Sequence, residues 1–154
     1  MAPTDEVPIV RLSESGAQEL ANVCWGLVPA WAKDTKAAAR SIYARAETVA
    51  SKPAFRTAFK ERRCLIPADG FYELTTEDGA KQPHHICGRD GGPFSFAGLW
   101  GRNERLQVET CTIVTTTPNA IVAPIHDRMP VLLRRRTTMR GSIRRRRRSN
   151  RWRR

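Results

Sequence analysis

The stretch SKPAFRTAFKERRCLIPADGFYEL, Ser51 to Leu74, decides the fold class. Its first half is spaced for a helix over Lys52–Arg63. Pro53 sits where a first helical turn tolerates proline, and Ala54, Phe55, Ala58 and Phe59 recur at intervals that build one apolar face. The second half changes period: Cys64–Pro67 and Gly70–Leu74 read as strands around a turn at Ala68-Asp69. Working outward, the apolar runs are short and strand-like. Upstream they fall at Val7–Leu12, Asn22–Trp31 (ending in a Pro-bounded turn) and Ser41–Thr48, with a loop or helical turn over Asp34–Arg40. Downstream, Thr75–Lys81 has the composition of a hairpin loop. Strands follow at His84–Gly88, Phe94–Trp100 and Glu109–Thr115, then a short helix at Pro118–Ala123 and a last strand at Met129–Leu133. There is no internal repeat. The pattern predicts α+β: one strand-rich domain with few helices.

The net charge of +12 resembles a nucleic-acid signal until it is located. Twelve of the 27 basic residues are arginines from Arg134 onward, where there is no acid, so the 15 basic residues before that point equal the 15 acidic ones. The expected domain, residues 1–133, is therefore formally neutral, and residues 134–154 are expected to be a disordered basic tail. With 40% hydrophobic residues a 154-residue chain can bury one core. No apolar run is long enough for a membrane span, and MAPTDEVPIV is too acidic and proline-broken for a signal peptide. Cys24, Cys64, Cys87 and Cys111 are widely spaced with no CxxC pair, which predicts reduced, mostly buried thiols in a cytoplasmic protein.

Three polar clusters sit against apolar flanks. In ARAET (Ala44–Thr48), Arg45 and Glu47 are two apart and would share a face of a strand. PADGFYE (Pro67–Glu73) is a turn feeding a strand that ends in a carboxylate, and PIHDRMP (Pro124–Pro130) carries His126 among charged neighbours. A carboxylate and an imidazole on separate strands suit acid/base work. The residues alone leave a second reading open, in which His126 is structural and Glu73 faces solvent. His84 and His85 read as strand residues, one inward and one outward. No His/Cys spacing supports a metal site, and no phosphate-binding loop or GxSxG elbow supports a nucleotide cofactor or hydrolase fold. No cofactor is expected.

At these clusters the sequence resembles the SRAP family, the SOS-response-associated peptidases or abasic-site-processing proteins. WGLVPAWAKD (Trp25–Asp34), ARAETVASKPAFR (Ala44–Arg56), RRCLIPADGFYE (Arg62–Glu73), FAGLW (Phe96–Trp100) and TIVTTTPNAIVAPIHDRMPVLL (Thr112–Leu133) follow the family in order and spacing. The resemblance implies a monomer that acts in the DNA damage response, at the nucleoid, on abasic sites in single-stranded DNA. An N-terminal cysteine would attack the sugar aldehyde through its α-amine and close a thiazolidine through its thiol. The α-amine pKa near 8 and the intramolecular second step make that chemistry coherent. By motif match Glu73 would be the acid/base carboxylate and His126 the imidazole assisting sugar ring opening and reversal. Arg45 would contact a phosphate, and Trp25 and Pro3 would line the strand-binding cleft. The peptidase label goes with removal of residues preceding the cysteine.

Four departures qualify the resemblance. MAPTDEVP resembles an internal family segment, so the opening strand with its cysteine is expected to be missing and cross-linking impaired. None of the four cysteines substitutes, because a thiazolidine needs amine and thiol on one residue. Tyr43 stands where the family has asparagine, and Leu74 where it has tryptophan. Finally, one codon choice for Arg135–Ser142, shifted by two bases, gives Tyr-Asp-Ala-Trp-Leu, an acidic family-like segment, so the tail is expected to be a frameshift. The alternatives to a degraded enzyme are a non-covalent single-strand-binding module and a non-functional pseudogene product.

Overall fold

The computed structural model describes residues 2–36 and 38–133, of Glu77 the backbone alone; the expected tail, residues 134–154, lies outside the described residues. Ten strands are present among the described residues: β1 (Glu6–Leu12), β2 (Gln18–Trp25), β3 (Tyr43–Arg45), β4 (Arg63–Ala68), β5 (Gly70–Glu77), β6 (Ala80–Cys87), β7 (Phe94–Asn103), β8 (Val108–Thr116), β9 (Met129–Pro130) and β10 (Leu132–Leu133). One α-helix, α1 (Arg56–Glu61), and a 3-10 turn at Ala38–Arg40 are the helical elements among the described residues. The helical share is smaller than α+β implies; the architecture is mostly β.

Five strands close a barrel. β1 pairs antiparallel with β2 and β4, β4 with β7, and β7 with β8, while a short parallel pairing of Cys24 with Thr110 and Trp25 with Cys111 joins β2 to β8. β3 and β9 add to β8, and β10 adds to β7. Strand alternation then sorts the side chains. Val7, Ile9, Val23, Cys64, Ile66, Phe96, Cys111 and Ile113 cluster on the inner face. Leu65, Ala97, Leu99 and Val114, from intervening positions, pack outward under Phe55 and Ala58, beside and within α1. β4 and β8 are buried on both faces, which explains their near-continuous apolar runs.

Two glycines are imposed by this geometry. Gly26 follows β2 at φ +132°, and a Cβ there would lie 2.6 Å from the Ala38 carbonyl oxygen. A Cβ on Gly98 would meet Cys64 Sγ at 2.9 Å inside the barrel.

Several elements differ from expectation. The helix begins at Arg56 because Ser51–Phe55 folds as successive turns, among them Lys52 N–H to Thr48 O at 2.9 Å. The Ser41–Thr48 strand shrinks to Tyr43–Arg45: the Arg45 carbonyl already accepts from Val49 N–H at 2.9 Å, turning the chain. Arg45 and Glu47 therefore do not share a strand face. Thr75–Lys81 is mostly strand. The connection is the two-residue turn Asp78-Gly79, φ 49° and 80°, where Asp-Gly supplies the positive φ values of a tight hairpin. Pro118–Ala123 is a set of turns rather than a helix, and the last strand is divided at Val131, whose N–H reaches Val114 while its carbonyl accepts from Ala97. All four cysteines are free. Cys64 and Cys111 are buried and Cys24 partly so, but Cys87 is exposed at the end of β6.

Candidate active site

A cleft of about 730 Å³ opens over one end of the barrel. Trp25, Phe96 and Ile113 of the inner cluster line its floor. Its walls come from the ends of β3 and β5 and from the His126–Pro130 segment, so three chain segments that are remote in sequence converge there. No group of three His, Cys, Asp or Glu side chains among the described residues could hold a metal ion.

Glu73 arrives on β5, opposite His84 on β6. Burial pushes its carboxyl above the ordinary carboxylate range; His126 pulls it back, and the negative charge of Asp127 pushes it further up. Tyr43 faces the same region from β3. Its phenol is held protonated above the usual range by burial and by the charge of Glu73. The Tyr43 ring stands edge-on to Trp25, centroids 5.7 Å apart at 74°.

His126 lies in a turn in which its backbone N–H bonds to Val122 O at 2.9 Å. Its Nδ1 has three polar neighbours: Arg128 N–H donates to it at 3.0 Å, Arg128 O lies at 3.1 Å, and Asp127 Oδ1 at 3.3 Å. Arg128 then reaches across the cleft edge. Its guanidinium donates to both carboxylate oxygens of Glu47, at 3.0 and 2.9 Å, and to Thr115 O at 2.9 Å. That bond holds the Glu47 carboxyl below its ordinary range. Arg128 Nε is buried without a hydrogen-bond partner among the described residues.

Of the residues singled out by sequence, Glu73, His126, Arg45 and Trp25 line this one cleft. Arg45 is exposed there. Trp25 is buried, its indole N–H fixed on Ile42 O at 2.9 Å, so it serves as a wall rather than an open stacking face. Pro3 is exposed and is not among the lining residues; it belongs to a turn that ties Thr4 N–H to the Trp25 carbonyl. The Glu47–Arg128 pair went unread. Both residues stand in flagged clusters, but nothing in the sequence joins positions 81 apart. The exposed Tyr72, stacked on His85 at 4.8 Å, was also missed; the Tyr72–His85 register follows only once the Asp78-Gly79 turn is recognised.

The family model described as SOS response associated peptidase (SRAP) matches residues 1–150. Two Bacillus subtilis (strain 168) relatives, abasic site processing proteins YoaM and YoqW, are each 42% identical over 137 residues, 86% of this chain, and are covered over 60% and 61% of their own lengths. The chain thus spans about three fifths of these curated relatives. A crystal structure of a Bacteroides thetaiotaomicron protein superposes with a TM-score of 0.80 at 29% identity, covering 89% of this chain and 62% of that one. The match over nearly the whole chain, together with those relatives, places the chain in the SRAP family.

Proposed function

We propose that the cleft receives an abasic nucleotide of single-stranded DNA and that Glu73 and His126 open its sugar ring. The observation that carries this is the meeting of a half-buried carboxyl, an imidazole and an exposed arginine in one cleft of a chain whose relatives are named abasic site processing proteins. An abasic deoxyribose rests mainly as a closed hemiacetal. Opening it requires a base to take the anomeric hydroxyl proton and an acid to protonate the ring oxygen as the C1′–O4′ bond breaks. A carboxyl raised by burial and a neighbouring imidazole are suited to exchange those roles. Arg45 would hold the adjoining phosphate, and the Trp25 wall would exclude water from the sugar. The aldehyde so released is the species an N-terminal amine captures in the cross-linking reaction. Peptide-bond cleavage ahead of such a cysteine would draw on the same pair, and damage-induced expression and a monomeric, nucleoid-associated state belong to the same reading. No helix among the described residues is long and apolar enough to cross a membrane.

The test captures the open aldehyde with an alkoxyamine on an abasic oligonucleotide, with and without the protein. Wild type is expected to accelerate labelling, and Glu73→Gln and His126→Ala to abolish the acceleration. A denaturing gel run in parallel reports any covalent protein–DNA adduct. Binding on a native gel without acceleration or adduct would replace this reading with a non-covalent single-strand-binding module.

A further inference from the structure

The Glu47–Arg128 pair sits beside the reacting groups without pointing at them. It is bidentate, and a second acceptor, the Thr115 carbonyl on β8, ties it to the barrel. A guanidinium neutralised in this way is a poor free phosphate ligand. Its geometry suits a different task. The same residue turns both halves of its backbone toward one atom of His126: the Arg128 N–H at 3.0 Å and the Arg128 carbonyl at 3.1 Å from Nδ1.

These two neighbours serve opposite protonation states. A neutral imidazole with bare Nδ1 accepts from the Arg128 N–H and keeps its proton on Nε2. A cationic imidazole carries a proton on Nδ1, which donates to the Arg128 carbonyl. An acid/base histidine normally changes partner, and often orientation, when its charge changes. Here both partners belong to one anchored residue. The competing neighbour is Asp127, 3.3 Å away and 85% exposed, whose carboxylate favours a proton on Nδ1 in either state. Across the cleft, Glu73 from β5 and Tyr43 from β3 face this region, and Arg45, Lys52, Asp69 and Tyr72 also line the wall.

We infer that Glu47 is a positioning residue: through Arg128 it holds the His126 ring in one orientation across its proton cycle and selects the Nε2–H form of the neutral ring against Asp127. The inference rests on the proposed acid/base role of His126 for its kinetic consequence, but not for its tautomer. Without Glu47 the Arg128 guanidinium keeps only Thr115, the 126–128 turn loosens, and Asp127 gains the Nδ1 proton.

The experiment compares wild type, Glu47→Ala and Glu47→Gln in two readouts. Imidazole 15N spectra of the neutral ring are expected to show bare Nδ1 in wild type and a tautomer mixture in Glu47→Ala. Alkoxyamine capture is expected to lose about tenfold in kcat in Glu47→Ala with KM little changed, less than the roughly hundredfold that a misplacement of about 1 Å can cost. Glu47→Gln, which keeps one acceptor, should recover part of both. Arg45→Ala should instead raise KM. A wild-type spectrum already mixed, or a Glu47→Ala spectrum unchanged from wild type, overturns the inference. So does a variant that weakens only DNA affinity. If wild type fails to accelerate capture at all, the proposed function falls while the spectra still decide the clamp.

Discussion

The barrel interior and the cleft above it meet at a shared floor and obey opposite rules: β1, β2, β4, β7 and β8 enclose the interior, whereas the cleft walls come from β3, β5 and the His126–Pro130 segment. Inside, every strand contributes apolar side chains at alternate positions, and even the thiols are treated as hydrophobes: burial raises Cys64 well above its ordinary pKa and Cys111 to about 12. At the mouth, polar groups are half-buried and held against each other's preferences, as Glu73 and Tyr43 show. The rim is tolerable because the interior below it is closed. The closed ring of strands leaves no open edge in the layer beneath the cleft.

That contrast is testable at the interior first. Ile66→Ala removes a side chain that is 1% exposed and packed within the barrel, and is expected to destabilise by about 3 kcal/mol in urea unfolding. A comparable loss from a rim residue such as Tyr72→Ala would break the distinction, since Tyr72 lines the cleft and is 69% exposed. Next in size is Asn103→Ala. Asn103 is fully buried, donates to the Pro29 and Ala32 carbonyls at 2.8 and 3.0 Å, and accepts from Leu106 N–H at 3.0 Å. Leaving these partners unsatisfied should cost about 2 kcal/mol.

Thiol chemistry separates the regions without mutation. An alkylating reagent should modify Cys87 first in the native protein and reach Cys64 and Cys111 only on unfolding. Mass spectrometry of the modified peptides checks the order.

The smallest effect lies within the rim. Glu73 has a raised carboxyl pKa in the fold, so the folded state binds its proton more tightly than the unfolded chain. The stability this confers is present below the ordinary glutamate range and is lost as pH rises through the folded value. Glu47, depressed by Arg128, contributes stability above the ordinary range and loses it as pH falls through its folded value. Glu73→Gln is therefore expected to raise Tm slightly at neutral pH, with the gain vanishing in acid. Glu47→Gln should lower Tm slightly at neutral pH and converge with wild type in acid. Shifts of the same sign for both variants would remove the electrostatic part of the comparison.

The strands were legible because period-two patterning and turn residues act locally. Phe94–Trp100, for instance, needed only extension to Asn103. The helix was overextended because the apolar spacing of Ala54 and Phe55 is also satisfied by consecutive turns, and Phe55 at the helix start provides no side-chain cap. Barrel closure was not legible. It depends on two parallel residue pairs, Cys24 with Thr110 and Trp25 with Cys111, and short parallel pairing leaves no mark in composition. At the site, Glu73, His126 and Arg45 were reached through motif resemblance. The Arg128 clamp, which needs distances, was not.

β8 pairs with β2, β3, β7 and β9, and this has a consequence for how the molecule is made. The β1–β2 and β7–β8 hairpins form from neighbours in the chain, but the seam between them must wait until the residues up to Thr116 have been synthesised. Until then β2 has an unsatisfied edge and an apolar inner face. The nascent chain is therefore vulnerable until β8 emerges, and refolding should be limited by this one long-range closure.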